Sequence, residues 1–197
     1  MGSPAEQPRR AAYAEYAAVP ANKAAMIVNG VLHVFPRPAP KHAYASSSLT
    51  EELVGPFSKG KGGGPGGWWI LDEPELHLVH EEPINPDLAG WTLERMPELP
   101  ETAHFTLAPD WICEVLSRSS EKIDREEKMP IYAAHGVRHA WLVDPVVKKI
   151  EVYSLGARRR WREPQIHEGA VRVRIPPFEA IELDVSALWV PTARRVK

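Results

Sequence analysis

Hydrophobic and polar positions along the chain follow two different periods. Apolar residues recur at helical spacing in residues 10–18, 43–57 and from Ser119 or Ser120 to about His135, so these segments are predicted to be helices. Alternating or continuous apolar runs predict strands at residues 24–35, 68–79, 84–91, 111–116, 139–144, 149–155, 171–176 and 180–185. Strands and helices alternate in the middle and strands dominate the end, which indicates an α/β fold with a mixed sheet.

Glycine and proline refine the element boundaries. Asn29-Gly30 predicts a tight hairpin turn within residues 24–35, and Gly136 is expected to end the third helix with a positive φ. Pro130 removes one backbone donor inside that helix and should bend it. The glycine-rich stretch "SKGKGGGPGG" lacks the Gly-Lys-Ser/Thr of a phosphate loop and precedes a strand-like segment, so we interpret it as a flexible loop.

Length and composition bear on the number of domains, on the class of partner and on the cellular compartment. A chain of 197 residues favours one domain, here residues 9–192, with a mobile tail at residues 1–8 and a C-terminal tail at residues 193–197. With 24 basic and 26 acidic residues, overall charge neither supports nor excludes nucleic acid as a partner. The lone Cys113 fits a reducing compartment, and the sequence contains no apolar stretch long enough to span a bilayer, so we expect a cytoplasmic protein with no membrane association.

Glu114 is the most informative residue, because it interrupts an apolar strand. Side chains alternate along a strand, so Glu114 shares a face with Asp110, Ile112 and Leu116. A buried carboxylate needs a partner or a cation. Asp110 lies roughly 13 Å away at about 3.3 Å per residue, which is too far for a shared metal ion. The partner should therefore come from an adjacent strand.

Asp87 and Lys128 are the candidate partners of Glu114. Asp87 opens a neighbouring strand, and Lys128 lies on the following helix, which can fold back towards the same edge. Two carboxylates that hold Mg²⁺ beside a lysine suit phosphodiester hydrolysis. The alternative is structural: Pro-Asp is common in turns, and Lys128 could form a surface ion pair with Asp124 one helical turn earlier.

The run "PDWICEVLS…DREEKMPIYAAHGVRHAWLVDP", with similarity through "PDLAGW" and "FEAIELDVSALW", resembles the Uma-two family of bacterial endonucleases in the PD-(D/E)XK superfamily. The resemblance implies a restriction-endonuclease-like core, in which a mixed β-sheet is flanked by helices, with additional N- and C-terminal strands. It also implies Mg²⁺- or Mn²⁺-dependent cleavage of DNA by Asp87, Glu114 and Lys128, with the two acids as metal ligands. Leu116 occupies the usual lysine position of the superfamily, so Lys128 would supply the lysine.

One departure from the family pattern keeps a second hypothesis open. Family members commonly carry a glutamate and an aspartate where this chain has Met26 and Asn29. Asn29 serves the turn as well as aspartate does, but Met26 removes an acidic group. The alternative is therefore a nuclease-fold protein that binds nucleic acid or a protein partner without cutting it.

Other polar residues supply weaker candidates for binding. His42 could contact substrate, although a histidine in a loop or helix cap is the simpler interpretation. Arg158, Arg159 and Arg160 surround Trp161 and could bind phosphates beside a stacked base, or form a solvated hairpin tip. The remaining histidines lack close metal-ligand spacing, which disfavours a zinc enzyme. The other tryptophans suit core packing or a homodimer interface.

Overall fold

The computed structural model describes residues 6–79 and 82–191, with side chains from residue 12 onwards. The helices are α1 (Glu6–Ala17), α2 (Pro40–Leu53), α3 (Glu121–Ile123) and α4 (Met129–Ala134). The strands are β1 (Ala24–Val28), β2 (Val31–Phe35), β3 (Trp68–Asp72), β4 (Leu76–Val79), β5 (Glu82–Ile84), β6 (Leu88–Thr92), β7 (Trp111–Val115), β8 (His139–Asp144), β9 (Lys149–Ser154), β10 (Gln165–Glu168), β11 (Arg172–Val173) and β12 (Leu183–Asp184). Of the predicted N-terminal tail at residues 1–8, residues 1–5 lie outside the described residues and residues 6–8 belong to α1, and the predicted C-terminal tail at residues 193–197 also lies outside the described residues.

A six-stranded mixed sheet in the order β10-β9-β8-β7-β6-β3 organises the molecule. Strands β7 and β8 are parallel, because a helical segment connects them, while the other neighbours in this sheet are antiparallel. Glu114 pairs with Leu142 in register, and β7 has neighbours on both sides. The predicted α/β class with a mixed sheet is confirmed.

The alternation predicted for β7 divides the core into two layers. Trp111, Cys113 and Val115 pack with α2 and the C-terminal segment on one face. Ile112 and Leu116 pack with Tyr132 and with residues of β1 on the other. Glu114 therefore belongs to the layer covered by α4 and the first hairpin, and Cys113 is a buried free thiol in the opposite layer.

The predicted third helix is present, but it is not uniform. It consists of α3, a π-helical turn (Asp124–Lys128) and α4, which we call together the Lys128 helix. Pro130 is the second residue after the widened turn, and its missing N–H prevents a regular α-helical hydrogen bond there. Gly136 has a φ of 80° after the last helical turn, as the sequence predicted.

The outer elements agree with the pattern in part: β10 was not predicted, and the predicted 84–91 strand is interrupted at residues 85–87 between β5 and β6. The first hairpin turns through Asn29 and Gly30 with φ values of 52° and 79°, which confirms the predicted turn. The predicted 68–79 strand is two strands, because Glu73 has a positive φ between them. The second predicted helix begins at Pro40 and continues beyond Leu53 as a π-helical turn (Val54–Ser58). The C-terminal strands β11 and β12 have only two residues each.

The glycine-rich segment forms a short 3₁₀ turn (Lys61–Gly63) and leads into β3, which confirms that it does not open a helix as a phosphate loop would. Among the described residues, no helix has both the length and the apolar composition that a membrane span requires.

Candidate active site

Glu114 lies at the centre of the sheet and is 1% exposed. Its Oε2 is 2.7 Å from Lys128 Nζ, and the Tyr132 hydroxyl donates a hydrogen bond of 2.7 Å to Oε1. Burial raises the pKa of Glu114 to about 8, because the Lys128 charge offsets only part of the cost of desolvating the carboxylate. Any group that brings further positive charge into this site would favour the ionised form of Glu114.

Lys128 is also 1% exposed and is surrounded by oxygen atoms. Besides Glu114, its ammonium contacts Asp124 Oδ1 at 3.1 Å and the carbonyl oxygen of Asn85 at 3.3 Å. Burial alone would lower the pKa of Lys128, but the charges of Asp124 and Glu114 raise it above its ordinary value. Lys128 is therefore a fixed positive charge between two buried acids.

The ion pair between Lys128 and Asp124 that the sequence suggested is present, but it is not at the surface. Asp124 is 2% exposed. Asp124, Lys128 and Tyr132 lie four residues apart along the Lys128 helix, and this spacing brings all three side chains to the face that covers β7.

Asp87 lies immediately before β6, where it reaches across to β7. Its Oδ2 accepts a hydrogen bond of 2.7 Å from the backbone N–H of Val115, the residue after Glu114. Its Oδ1 is 3.2 Å from Nε2 of His42. These contacts place the Asp87 carboxylate beside the part of the strand that carries Glu114.

His42 is neither a loop residue nor a helix cap. It lies in the first turn of α2, whose N-cap is Ala39, and it is 8% exposed. Burial lowers the pKa of His42, but the contact with Asp87 outweighs this and raises the pKa above its usual value. The structure thus assigns His42 a contact with Asp87 that the sequence did not indicate.

The side chains of His42, Asp87, Glu114, Asp124 and Lys128 line one cavity of about 810 Å³. The carboxylates of Asp87, Glu114 and Asp124 share it with the ammonium of Lys128, and the exposed Glu73 also lines it. Two buried atoms of its lining, Asn85 Oδ1 and His42 Nδ1, have no hydrogen-bond partner among the described residues. The excess of carboxylates and the unpaired amide oxygen fit Mg²⁺ or Mn²⁺, because these ions prefer oxygen ligands.

Two residues that contact the Glu114–Lys128 pair, Asp124 and Tyr132, were not predicted as site residues. Asp124 was interpreted as a surface residue and Tyr132 was not considered, although their four-residue spacing from Lys128 could have indicated both. Met26, on β1, lines the same cavity, so the position expected to be acidic does face the site.

Asp110 has a structural role at the entrance of β7. Its Oδ2 accepts hydrogen bonds from the backbone and hydroxyl of Thr92, and its Oδ1 pairs with Arg95 at 2.9 Å. It does not line the cavity.

The candidate binding residues Arg158, Arg159 and Arg160 do not line the cavity. Arg158 and Arg159 belong to an exposed 3₁₀ turn, and Arg159 donates to the carbonyl of Ala134 at the end of the Lys128 helix. Trp161 donates a hydrogen bond of 2.9 Å to the carbonyl of Met129 and packs against Tyr153. Its indole is therefore used in packing, and base stacking beside Arg160 has no support from this geometry.

A second group of residues could hold a metal ion, although the histidines show no close ligand spacing along the sequence. One ligand atom each of Glu75, His77 and His104 lies within 4.8 Å of the other two. Residues 75–77 and 104 are far apart in the sequence and meet only through a backbone bridge between Leu76 and Phe105. Sequence spacing could not have shown this group.

Comparison with known proteins supports the same fold. A family model described as "Uma2: Putative restriction endonuclease" matches residues 11–186. A crystal structure of a "putative nuclease belonging to DUF820" from Anabaena variabilis is 21% identical, with a TM-score of 0.69, and the alignment covers 89% of this chain and 95% of that one. No curated protein shows significant similarity. The fold is therefore the restriction-endonuclease-like fold.

Proposed function

Since the chain belongs to the Uma2 family, we propose that it is an endonuclease that hydrolyses phosphodiester bonds in DNA with the help of Mg²⁺ or Mn²⁺. The observation that carries the proposal is the grouping of three carboxylates around a single buried lysine in one cavity. Asp87 and Glu114 would hold the metal ion, and Asp124 adds a third negative charge beside them. The burial of Cys113 as a free thiol is compatible with a cytoplasmic location.

Each side chain has a distinct part in this proposal. A bound divalent cation would lower the pKa of a coordinated water and screen the charge of the phosphate. Lys128 would stabilise negative charge that develops on the phosphate or steady the attacking water. Its contacts with Glu114 and Asp124 fix its position before substrate arrives, which reduces the reorganisation needed during the reaction.

Tyr132 and His42 would act through the acids and not on the substrate. The Tyr132 hydroxyl orients Glu114 by its hydrogen bond to Oε1. His42 holds one oxygen of Asp87, while the Val115 amide holds the other. Partners of this kind keep metal ligands in a fixed orientation.

The proposal is tested by cleavage of supercoiled plasmid DNA with Mg²⁺, with Mn²⁺ and with a chelator. We expect metal-dependent cleavage that falls by roughly 10²–10³-fold in Glu114→Gln and in Lys128→Met. The matched controls lie on the same helical segment: Glu126→Gln and Lys122→Met change exposed side chains and should leave cleavage unchanged. Undiminished cleavage by folded Glu114→Gln protein would reject the assignment.

Met26 supports a second candidate function. Because a methionine faces the cavity where family members commonly have an acid, the site has one carboxylate fewer, and the protein could bind nucleic acid without cutting it. Calorimetry separates the two functions: DNA binding without measurable Mg²⁺ binding and without cleavage favours the second.

A further inference from the structure

We infer that Glu75, His77 and His104 form a second metal site, specific for a transition-metal dication of the Zn²⁺ type. This site is separate from the carboxylate cavity and does not depend on the proposed nuclease function. One oxygen and two imidazole nitrogens form a ligand set that Zn²⁺, Co²⁺ and Ni²⁺ accept well and that Mg²⁺ does not prefer.

The backbone brings the three ligands together. The N–H of Phe105 donates to the carbonyl of Glu75, and the N–H of His77 donates to the carbonyl of Phe105, each at 2.9 Å. Glu75 immediately precedes β4 and His77 is its second residue, so the two side chains, two residues apart, share one face. His104 comes from the adjoining segment onto the same face, where its ring stacks on that of His77 at 4.0 Å.

Glu75 is already held as a ligand carboxylate commonly is. Its Oε1 is 2.7 Å from His77 Nε2, and its Oε2 accepts a hydrogen bond of 2.7 Å from the Tyr16 hydroxyl. Tyr16 comes from α1 and lines the carboxylate cavity, so it connects the two sites. A hydroxyl that holds the outer oxygen of a ligand carboxylate fixes its orientation and raises metal affinity.

The side chains need only a small rearrangement to bind an ion. Ligand atoms on a tetrahedral zinc ion lie roughly 3.3 Å apart, since each Zn–N bond is about 2.0 Å, and the three atoms here lie within 4.8 Å of one another. The two imidazole rings are tilted by only 12°, so one ring must rotate for both nitrogens to point at one ion. The side chain of Glu75 is 28% exposed, which leaves room for a water molecule as a fourth ligand.

The test is a titration of chelator-treated protein with Zn²⁺ and Co²⁺ in excess Mg²⁺, which occupies oxygen-rich sites. We expect one Zn²⁺ to bind per chain, and Co²⁺ to give the strong visible absorption of a four-coordinate ion. His104→Ala and Glu75→Gln should weaken Zn²⁺ binding at least tenfold, and Tyr16→Phe should weaken it less. The matched control is His135→Ala, because His135 is a half-buried histidine outside the group.

Glu114→Gln separates this inference from the proposed nuclease function. Zn²⁺ binding that survives Glu114→Gln but is lost in His104→Ala supports the second site, whether or not the protein cuts DNA. Loss in Glu114→Gln with retention in His104→Ala would place the ion in the carboxylate cavity and overturn the inference. Absence of saturable Zn²⁺ binding to the unmodified protein would also overturn it, and would leave the Tyr16–Glu75–His77 contacts as a hydrogen-bonded chain. Circular dichroism shows whether each variant is folded, and Glu75→Gln provides the test if His104→Ala is not.

Discussion

Arg125 and Glu151 form a bidentate ion pair that attaches the Lys128 helix to the sheet. Two guanidinium nitrogens of Arg125 meet the two carboxylate oxygens of Glu151 at 2.8 Å each. Arg125 lies in the π-helical turn with Asp124 and Lys128, while Glu151 lies in β9 and is 5% exposed. The pair therefore fixes the turn that carries the candidate active-site lysine.

The lowered pKa of Glu151 gives the size of the free energy that this ion pair contributes to stability. Hydrogen bonds from Arg125, the largest contribution, lower this pKa from its usual 4.5 to about 2. The difference corresponds to roughly 3 kcal/mol at 1.36 kcal/mol for each pKa unit. Lys149 and Tyr153 supply part of it, and solvent around Arg125, whose side chain is 29% exposed, screens the pair. We expect about 1.5–2 kcal/mol for the coupling between Arg125 and Glu151 alone.

A double-mutant cycle measures this coupling through the free energy of unfolding in urea. The variants are Arg125→Gln, Glu151→Gln and the double substitution, and the lost contact between Arg125 and Glu121 cancels within the cycle. The matched control is the pair Lys122–Glu126 on the same helical segment, with atoms 3.9 Å apart and side chains 83% and 65% exposed, for which we expect about 0.5 kcal/mol or less.

The pH dependence supplies a second measurement of the same pair. Because the pKa of Glu151 is lower in the folded than in the unfolded protein, its contribution is complete above about pH 4.5 and is lost as the pH falls towards 2. The difference in stability between the wild type and Glu151→Gln should shrink over that window. A coupling no larger than that of Lys122–Glu126, or a difference that does not change with pH, would refute the reasoning.

Three further predictions concern the site and the core. Tyr132→Phe removes the hydroxyl that donates to Glu114, so plasmid cleavage should fall roughly tenfold while circular dichroism is unchanged. Leu49→Ala opens a cavity at a fully buried position, and the free energy of unfolding in urea should drop by about 2–5 kcal/mol. Gly64→Ala should destabilise the protein by at least about 2 kcal/mol, because its Cβ would lie 2.3 Å from Pro56, whereas Gly55→Ala meets no atom within 4 Å and should gain up to about 1 kcal/mol in the same denaturation assay.

The central elements could be predicted from the sequence because their signals are local. The alternation in β7, the Asn29-Gly30 turn and Gly136 each depend on residues next to one another, and all three are confirmed. The π-helical turn before Pro130 was not predicted. A missing backbone donor indicates that a helix is disturbed there, but the way the helix adjusts depends on its packing against the sheet.

Contacts between distant segments were the part that could not be predicted. His42 meets Asp87 only because α2 packs beside the start of β6, and no spacing along the chain encodes that approach. The group of Glu75, His77 and His104 depends in the same way on the backbone bridge to Phe105. Asp124 is different: its spacing from Lys128 predicted the ion pair, but burial of the pair could not be predicted without knowing which helix face covers β7.

Asp124 bears directly on the question raised by Met26. A site with only Asp87 and Glu114 would set two carboxylates against Lys128 and against His42, whose pKa is raised by its contact with Asp87, and this reduces the net attraction for a dication. The buried carboxylate of Asp124 adds a negative charge from the Lys128 helix. It contacts Lys128, the same lysine that pairs with Glu114. The electrostatic role of an acid at position 26 can therefore be met from the Lys128 helix. Loss of the acid on β1 is for this reason a weaker argument against catalysis than the sequence alone suggested.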